Sequence, residues 1–143
     1  MNNFSGEKNH ILPEDDPYNT IVLSGGGING LTALGAIQYM YDCNKLQNVK
    51  TYYATSVGTI ISYLLIIGYK PVEIMATVIS EKLLDNFKKF NLLNFAHGKG
   101  GYQWTSIEDI LLNLTLKKCE QPMTFADIYN RYGVPVSICA VKI

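Results

Sequence analysis

Two short segments carry residues whose types and spacing suit chemistry on a carbonyl group: Gly25-Gly26-Gly27-Ile28-Asn29-Gly30 and Ala54-Thr55-Ser56-Val57-Gly58. A glycine run that ends at the start of a helix presents backbone N–H groups outward, where they bind negative charge. Three chemistries use such a run. Dinucleotide binding fits the G-x-G-x-x-G spacing, but it needs a carboxylate near the end of the second strand to hold a ribose hydroxyl. That strand ends Tyr53-Ala54-Thr55. A phosphate-binding P-loop needs a lysine straight after its last glycine, and Leu31 and Thr32 stand there instead. The third use is an oxyanion hole, in which glycine amides donate to the charge that develops on a carbonyl oxygen during acyl transfer. The second segment is one substitution from the G-x-S-x-G nucleophile elbow, with Ala54 in place of the first glycine. Taken alone it is only moderately specific, because a serine before a helix is ordinarily an N-cap.

The elements around these segments decide whether they meet. Thr20 to Ser24 is a β-prone run closing on the glycines, and from about Gly30 the apolar residues Leu31, Leu34, Ile37 and Met40 recur at helical spacing. After a loop at Asn44 to Val49, Lys50 to Ala54 reads as a second strand, and Val57 to Ile67 as a core helix stopped near Gly68. Strand, helix and strand make a βαβ unit with parallel neighbours about 4.8 Å apart. The glycine turn and Ser56 then emerge at the same edge of the sheet. Amide donors and a nucleophile share one pocket, lacking only a base.

Further along, Pro71 opens a helix to about Phe87, with Glu73 in its first turn where the helix dipole favours an acid. Phe90 to Gly101 reads as irregular. Thr105 and Glu108 have capping-box spacing ahead of a helix over Ser106 to Cys119. Thr124 caps a short helix to Tyr132, ended by Gly133, and Val134 to Ile143 alternates like a strand. The pattern predicts an α/β fold, three layers around a mainly parallel sheet, over residues 20–143, with 1–19 as a flexible arm.

Composition narrows the function classes. Lys+Arg 12 against Asp+Glu 12 gives no net charge, and no basic run exceeds two residues, which argues against a nucleic-acid partner. Charged residues make up 17% of the 143, where about 25% is usual, so the surface is thinly charged and suits a peripheral membrane contact. Cys43, Cys119 and Cys139, with only His10 and His97, point to neither a disulfide framework nor a metal site. No apolar leader precedes Asp16, and Val57 to Tyr69 is too short to span a bilayer. A cytoplasmic location, at most peripheral to membranes, is the expectation.

The run Ile-Val-Leu-Ser-Gly-Gly-Gly-Ile-Asn-Gly-Leu-Thr-Ala-Leu-Gly-Ala-Ile, then Ala-Thr-Ser-Val-Gly-Thr, then Thr-Phe-Ala-Asp-Ile-Tyr before a strand, resembles the N-terminal half of the patatin-like phospholipases. The resemblance runs from about Thr20 to the C-terminus. It implies hydrolysis of phospholipid or other lipid esters by a Ser-Asp dyad without histidine or cofactor. It also implies Ser56 as nucleophile and the amides of Gly25, Gly26, Gly27 and Val57 as oxyanion donors, with Gly30 completing that loop and Ala54 and Gly58 flanking the elbow. Asn29 stands where the family carries Arg or Lys. The family's dyad Asp lies in a D-G-[GA] motif downstream of the last strand, so the resemblance places it beyond this chain. None of Asp42, Asp85, Asp109 and Asp127 is followed by Gly.

Two other readings stay open on the residues. Ser56, Asp85 and His97 have the chain order of an α/β-hydrolase triad. A non-enzymatic lipid- or protein-binding relative would keep the apolar mouth without the acid. Phe87, Phe90, Phe95, Tyr102 and Trp104 could form a lipid-facing rim, with Lys88-Lys89 and Lys117-Lys118 near head groups, although core packing and solvated surface are the commoner uses.

Overall fold

The computed structural model describes residues 18–80 and 105–140. Three strands, β1 (Thr20–Leu23), β2 (Thr51–Thr55) and β3 (Val136–Cys139), pair in parallel in that order. The register sets Leu23 beside Ala54 and Ala54 beside Ile138. The last strand is shorter than the alternation from Val134 to Ile143 suggests at its front edge, because Pro135 has no N–H to give to a ladder. Residues 141–143, like the arm up to residue 17, lie outside the described residues.

Between β1 and β2 a 3-10 turn, Gly27–Leu31, leads into α1 (Thr32–Asp42). The helical pattern from Gly30 thus divides in two, since the glycines open with tighter i→i+3 bonding before the α-helix takes over at Thr32. Helices α2 (Val57–Ile66), α3 (Pro71–Ser80), α4 (Thr105–Cys119) and α5 (Phe125–Tyr132) join β2 to β3. Residues 81–104 lie outside the described residues, and with them the rest of the Pro71 helix, the aromatic segment, Lys88-Lys89, Asp85 and His97.

Helix α2 is apolar on nearly every side, which is what a helix at the centre of a domain requires. Its Val57, Ile61 and Leu64 pack with Leu34 and Ile37 of α1, Ile74 and Val78 of α3, and Ile107 and Leu114 of α4. Ile66 turns the other way and joins Ile21, Tyr52 and Ile128 against the sheet. Strand order explains why these helices share one face. Each strand is added on the same side of the last, so right-handed crossovers all land on the side of Ile21 and Tyr52. Val22 and Tyr53, on the opposite face, are 72% and 49% exposed among the described residues.

The helix ends are tied by side chains. Gln38 of α1 accepts from the Val72 N–H at 2.9 Å, and its amide donates to Asp42 at 2.7 Å. Tyr69 donates to the Leu114 carbonyl at 2.9 Å. Lys118 lies over the Tyr69 ring, 4.6 Å from its centre, and 3.9 Å from Glu73. That lysine is engaged at a helix junction, so of the Lys117-Lys118 pair it is held back from a head group.

Candidate active site

Ser56 sits between β2 and α2 with φ 53° and ψ −125°. A non-glycine residue in that region stores about 1–3 kcal/mol of backbone strain and persists only where its surroundings enforce it. Ser56 occupies the N-cap position of α2, yet its side chain makes no cap hydrogen bond. Its hydroxyl has no partner among the described residues, and Ser56 itself is exposed.

What enforces the turn is contact with the glycine loop and with β1. A Cβ on Gly58 would lie 2.5 Å from the Leu23 carbonyl oxygen, and one on Gly30 would collide with Val57 Cγ1. Only glycine lets α2 start this close to β1 while the 3-10 turn rests on Val57. A Cβ on Gly25 would fall 3.2 Å from Ser56 Cβ, so the loop passes directly beside the serine. Gly27 has φ +53°, which glycine adopts without cost. Ala54, 4% exposed, faces the core in register with Leu23 and Ile138. Its methyl is absorbed by packing, which is why the first glycine of the pattern is dispensable here.

The glycine loop and Ser56 stand at the same sheet edge but line neighbouring clefts and not one pocket: Gly25, Gly26, Asn29 and Gly30 border a cleft of about 330 Å³ whose lining does not include Ser56. Gly27 opens the 3-10 turn and Val57 opens α2, so neither N–H has an acceptor within its own helix. Gly26 is the N-cap of the turn, and its carbonyl is taken by the Asn29 N–H at 3.0 Å. The N–H groups of Gly25, Gly26, Gly27 and Val57 donate to nothing among the described residues. Asn29 is exposed on the loop, its carbonyl accepting from the Thr32 hydroxyl at 2.7 Å.

Ser56 opens onto a groove of about 810 Å³ between α2 and α4, with Ile60, Leu111, Met123 and Ile138 among its apolar walls. Sequence reasoning expected an apolar mouth but named none of these walls, which come from residues about fifty apart that no local pattern connects. Glu108 is the one carboxylate on its lining among the described residues and makes no hydrogen bond to Ser56. The other acids have structural partners or stand apart. Asp42 binds Gln38, Asp127 binds Thr124, and Asp109 is exposed in the first turn of α4. Asp85 and His97 lie outside the described residues. Cys119 is buried, Cys43 and Cys139 are exposed, and all three are free thiols. Among the described residues no group of three His, Cys, Asp or Glu is placed to hold a metal ion, and no helix is long and apolar enough to cross a membrane.

The family model of the patatin-like phospholipases matches residues 21–130, from β1 through the glycine loop and the elbow into α5. The chain belongs to the patatin-like phospholipase family. It is similar to a probable lipid hydrolase, 463L, of Invertebrate iridescent virus 6, with 32% identity over 134 residues, covering 88% of this chain and 44% of that protein. It is also similar to the uncharacterized protein L620 of Acanthamoeba polyphaga mimivirus, 42% identical over 55 residues, or 36% of this chain and 15% of the relative. The chain therefore spans less than half the length of these relatives. No solved structure matches it at a significant level.

Proposed function

We propose that this chain carries the nucleophile and oxyanion half of a lipid acyl hydrolase of phospholipase A type. The observation that carries the reading is the uncapped, strained Ser56 at the head of α2. A serine whose only task was to cap would adopt relaxed extended geometry and accept a hydrogen bond from a backbone N–H in the first turn of the helix. In the reaction Ser56 Oγ attacks the ester carbonyl and its proton passes to a general base, the role that the resemblance gives to an Asp beyond this chain. The carbonyl oxygen gains negative charge and takes hydrogen bonds from the Gly26, Gly27 and Val57 amides, each such donor being worth about 3 kcal/mol in the transition state. The alcohol leaves with a proton, and water then releases the acid from the acyl-serine.

A lipid ester as substrate is supported by the apolar groove, and peripheral contact with a lipid surface by the apolar residues around it. Leu112 lines the groove and is 40% exposed, and Phe125, on an adjoining cleft that shares Ile60, Tyr63 and Leu111 with it, is 64% exposed. No cofactor or nucleic acid has a part in this scheme. One observation favours a second reading, a lipid-binding relative without turnover: no acid is hydrogen-bonded to Ser56 among the described residues. Intact-mass analysis after exposure to a fluorophosphonate separates the two. A single adduct that disappears in Ser56→Ala supports the nucleophile, and a folded protein that takes no adduct even when a longer stretch carrying the dyad Asp is present supports the binding module.

A further inference from the structure

The groove beside Ser56 has a crossbar. Helices α2 and α4 run in the same direction along it: Val57 and Ile107 share one apolar contact region near their starts, and Tyr69, beyond the end of α2, reaches Leu114. Ser56 and Glu108 lie at the mouth, one on each wall. Seven residues further along each helix stand Tyr63 and Thr115, also on the lining. These two are joined, oxygen to oxygen, at 2.6 Å. The single proton of Thr115 goes to the Leu111 carbonyl at 2.7 Å, so Tyr63 is the donor in the bond that bridges the walls. Burial raises the Tyr63 pKa above 10.0, which keeps that donor protonated.

Two helical turns separate mouth from bar, about 10 Å along the axis. An extended alkyl chain built from C–C bonds of about 1.5 Å advances about 1.25 Å per carbon, so about eight carbons reach from Ser56 to the bar. The walls over that distance are mainly apolar, Ile60, Leu111 and Met123 among them, with Thr59 the polar residue of α2 on the lining between Ser56 and Tyr63. We propose that the Tyr63–Thr115 bridge sets the acyl length this groove accepts, taking the first eight or so carbons of the chain whose ester lies at Ser56. The inference rests on the reading of Ser56 as the site of ester attack. Longer chains must break the bridge and leave the Thr115 oxygen facing hydrocarbon, which is costly.

The test is a binding series of straight-chain fatty acids, from hexanoate to tetradecanoate, competed against a fluorescent fatty acid on the whole chain. Affinity should rise about fourfold for each added methylene while the chain fills apolar wall, then level off near octanoate. In Tyr63→Leu, which keeps an apolar wall and removes the bar, the rise should continue through dodecanoate. A wild-type series that climbs without a break, one with no length dependence, or an unchanged break in Tyr63→Leu overturns the proposal. The wild-type series alone decides if that variant fails to fold. Binding does not use Ser56 as a nucleophile, so the two readings fail separately. A flat series with intact fluorophosphonate labelling removes the bar, and a clear break without labelling removes the nucleophile.

Discussion

Two hydroxyl residues stand at the heads of helices, and they behave in opposite ways. Thr124, before α5, has φ −86° and ψ 169°, accepts from the Asp127 N–H, and donates its own backbone N–H to the Asp127 carboxylate at 2.8 Å. Ser56, before α2, is twisted to φ 53° and gives its helix nothing. A relaxed cap contributes about 1 kcal/mol to stability, whereas the serine forgoes that and carries strain as well. The helix behind Ser56 is held instead by tertiary contacts, its apolar sides in the core and its second residue, Gly58, against β1. A hydroxyl residue at one position therefore serves stability where the helix is short and exposed, and is left without a cap bond where the helix is buried.

Substitutions sharpen this contrast. The largest effect is expected from Gly58→Ala, whose methyl must push the head of α2 off the Leu23 carbonyl. A loss of about 1–3 kcal/mol in urea unfolding, together with slower fluorophosphonate labelling, is expected; unchanged labelling would mean that the elbow does not depend on this contact. Thr124→Ala should cost about 1 kcal/mol by the same assay and leave labelling alone. Replacing Ser56 by Gly relieves the positive φ, and a gain of about 0.5–1 kcal/mol is expected, with complete loss of the adduct. A Ser56→Gly protein less stable than wild type would break the comparison, because it would show the serine to be supporting its helix after all.

The smallest effect concerns pH. Hydrogen bonds from the Thr124 side chain and backbone hold the Asp127 carboxyl below its ordinary 3.8. A carboxylate depressed in the folded state adds stability that is fully present above the unfolded pKa and disappears as pH falls through the folded value. Acid unfolding of wild type and Asp127→Asn should therefore differ above about pH 4 and converge below it.

The parts legible in the sequence were those fixed by neighbours. The cap at Thr124 and the stop at Gly133 follow from residues a few positions apart, and the parallel βαβ unit with its adjacent loop and elbow from three consecutive elements; the fold has them. The split of the first helix at Thr32 was not legible, because a run of glycines gives periodicity no side chains to read. Whether a serine caps or stands free is a matter of φ and ψ, which the letters Ala-Thr-Ser-Val-Gly do not settle. The bridge between Tyr63 and Thr115 joins residues 52 apart in sequence. Only the packing of α2 on α4 creates it.

The contact of Gly30 with Val57 and of Gly58 with Leu23 also bears on inheritance. A lineage released from selection for turnover could lose the Ser56 hydroxyl by one substitution without disturbing either contact. The glycines would remain, because each answers to a neighbouring atom in the fold and not to a substrate. Across descendants of such a chain the glycine pattern should outlast the serine, so that a preserved loop records ancestry while the residue at position 56 records present use.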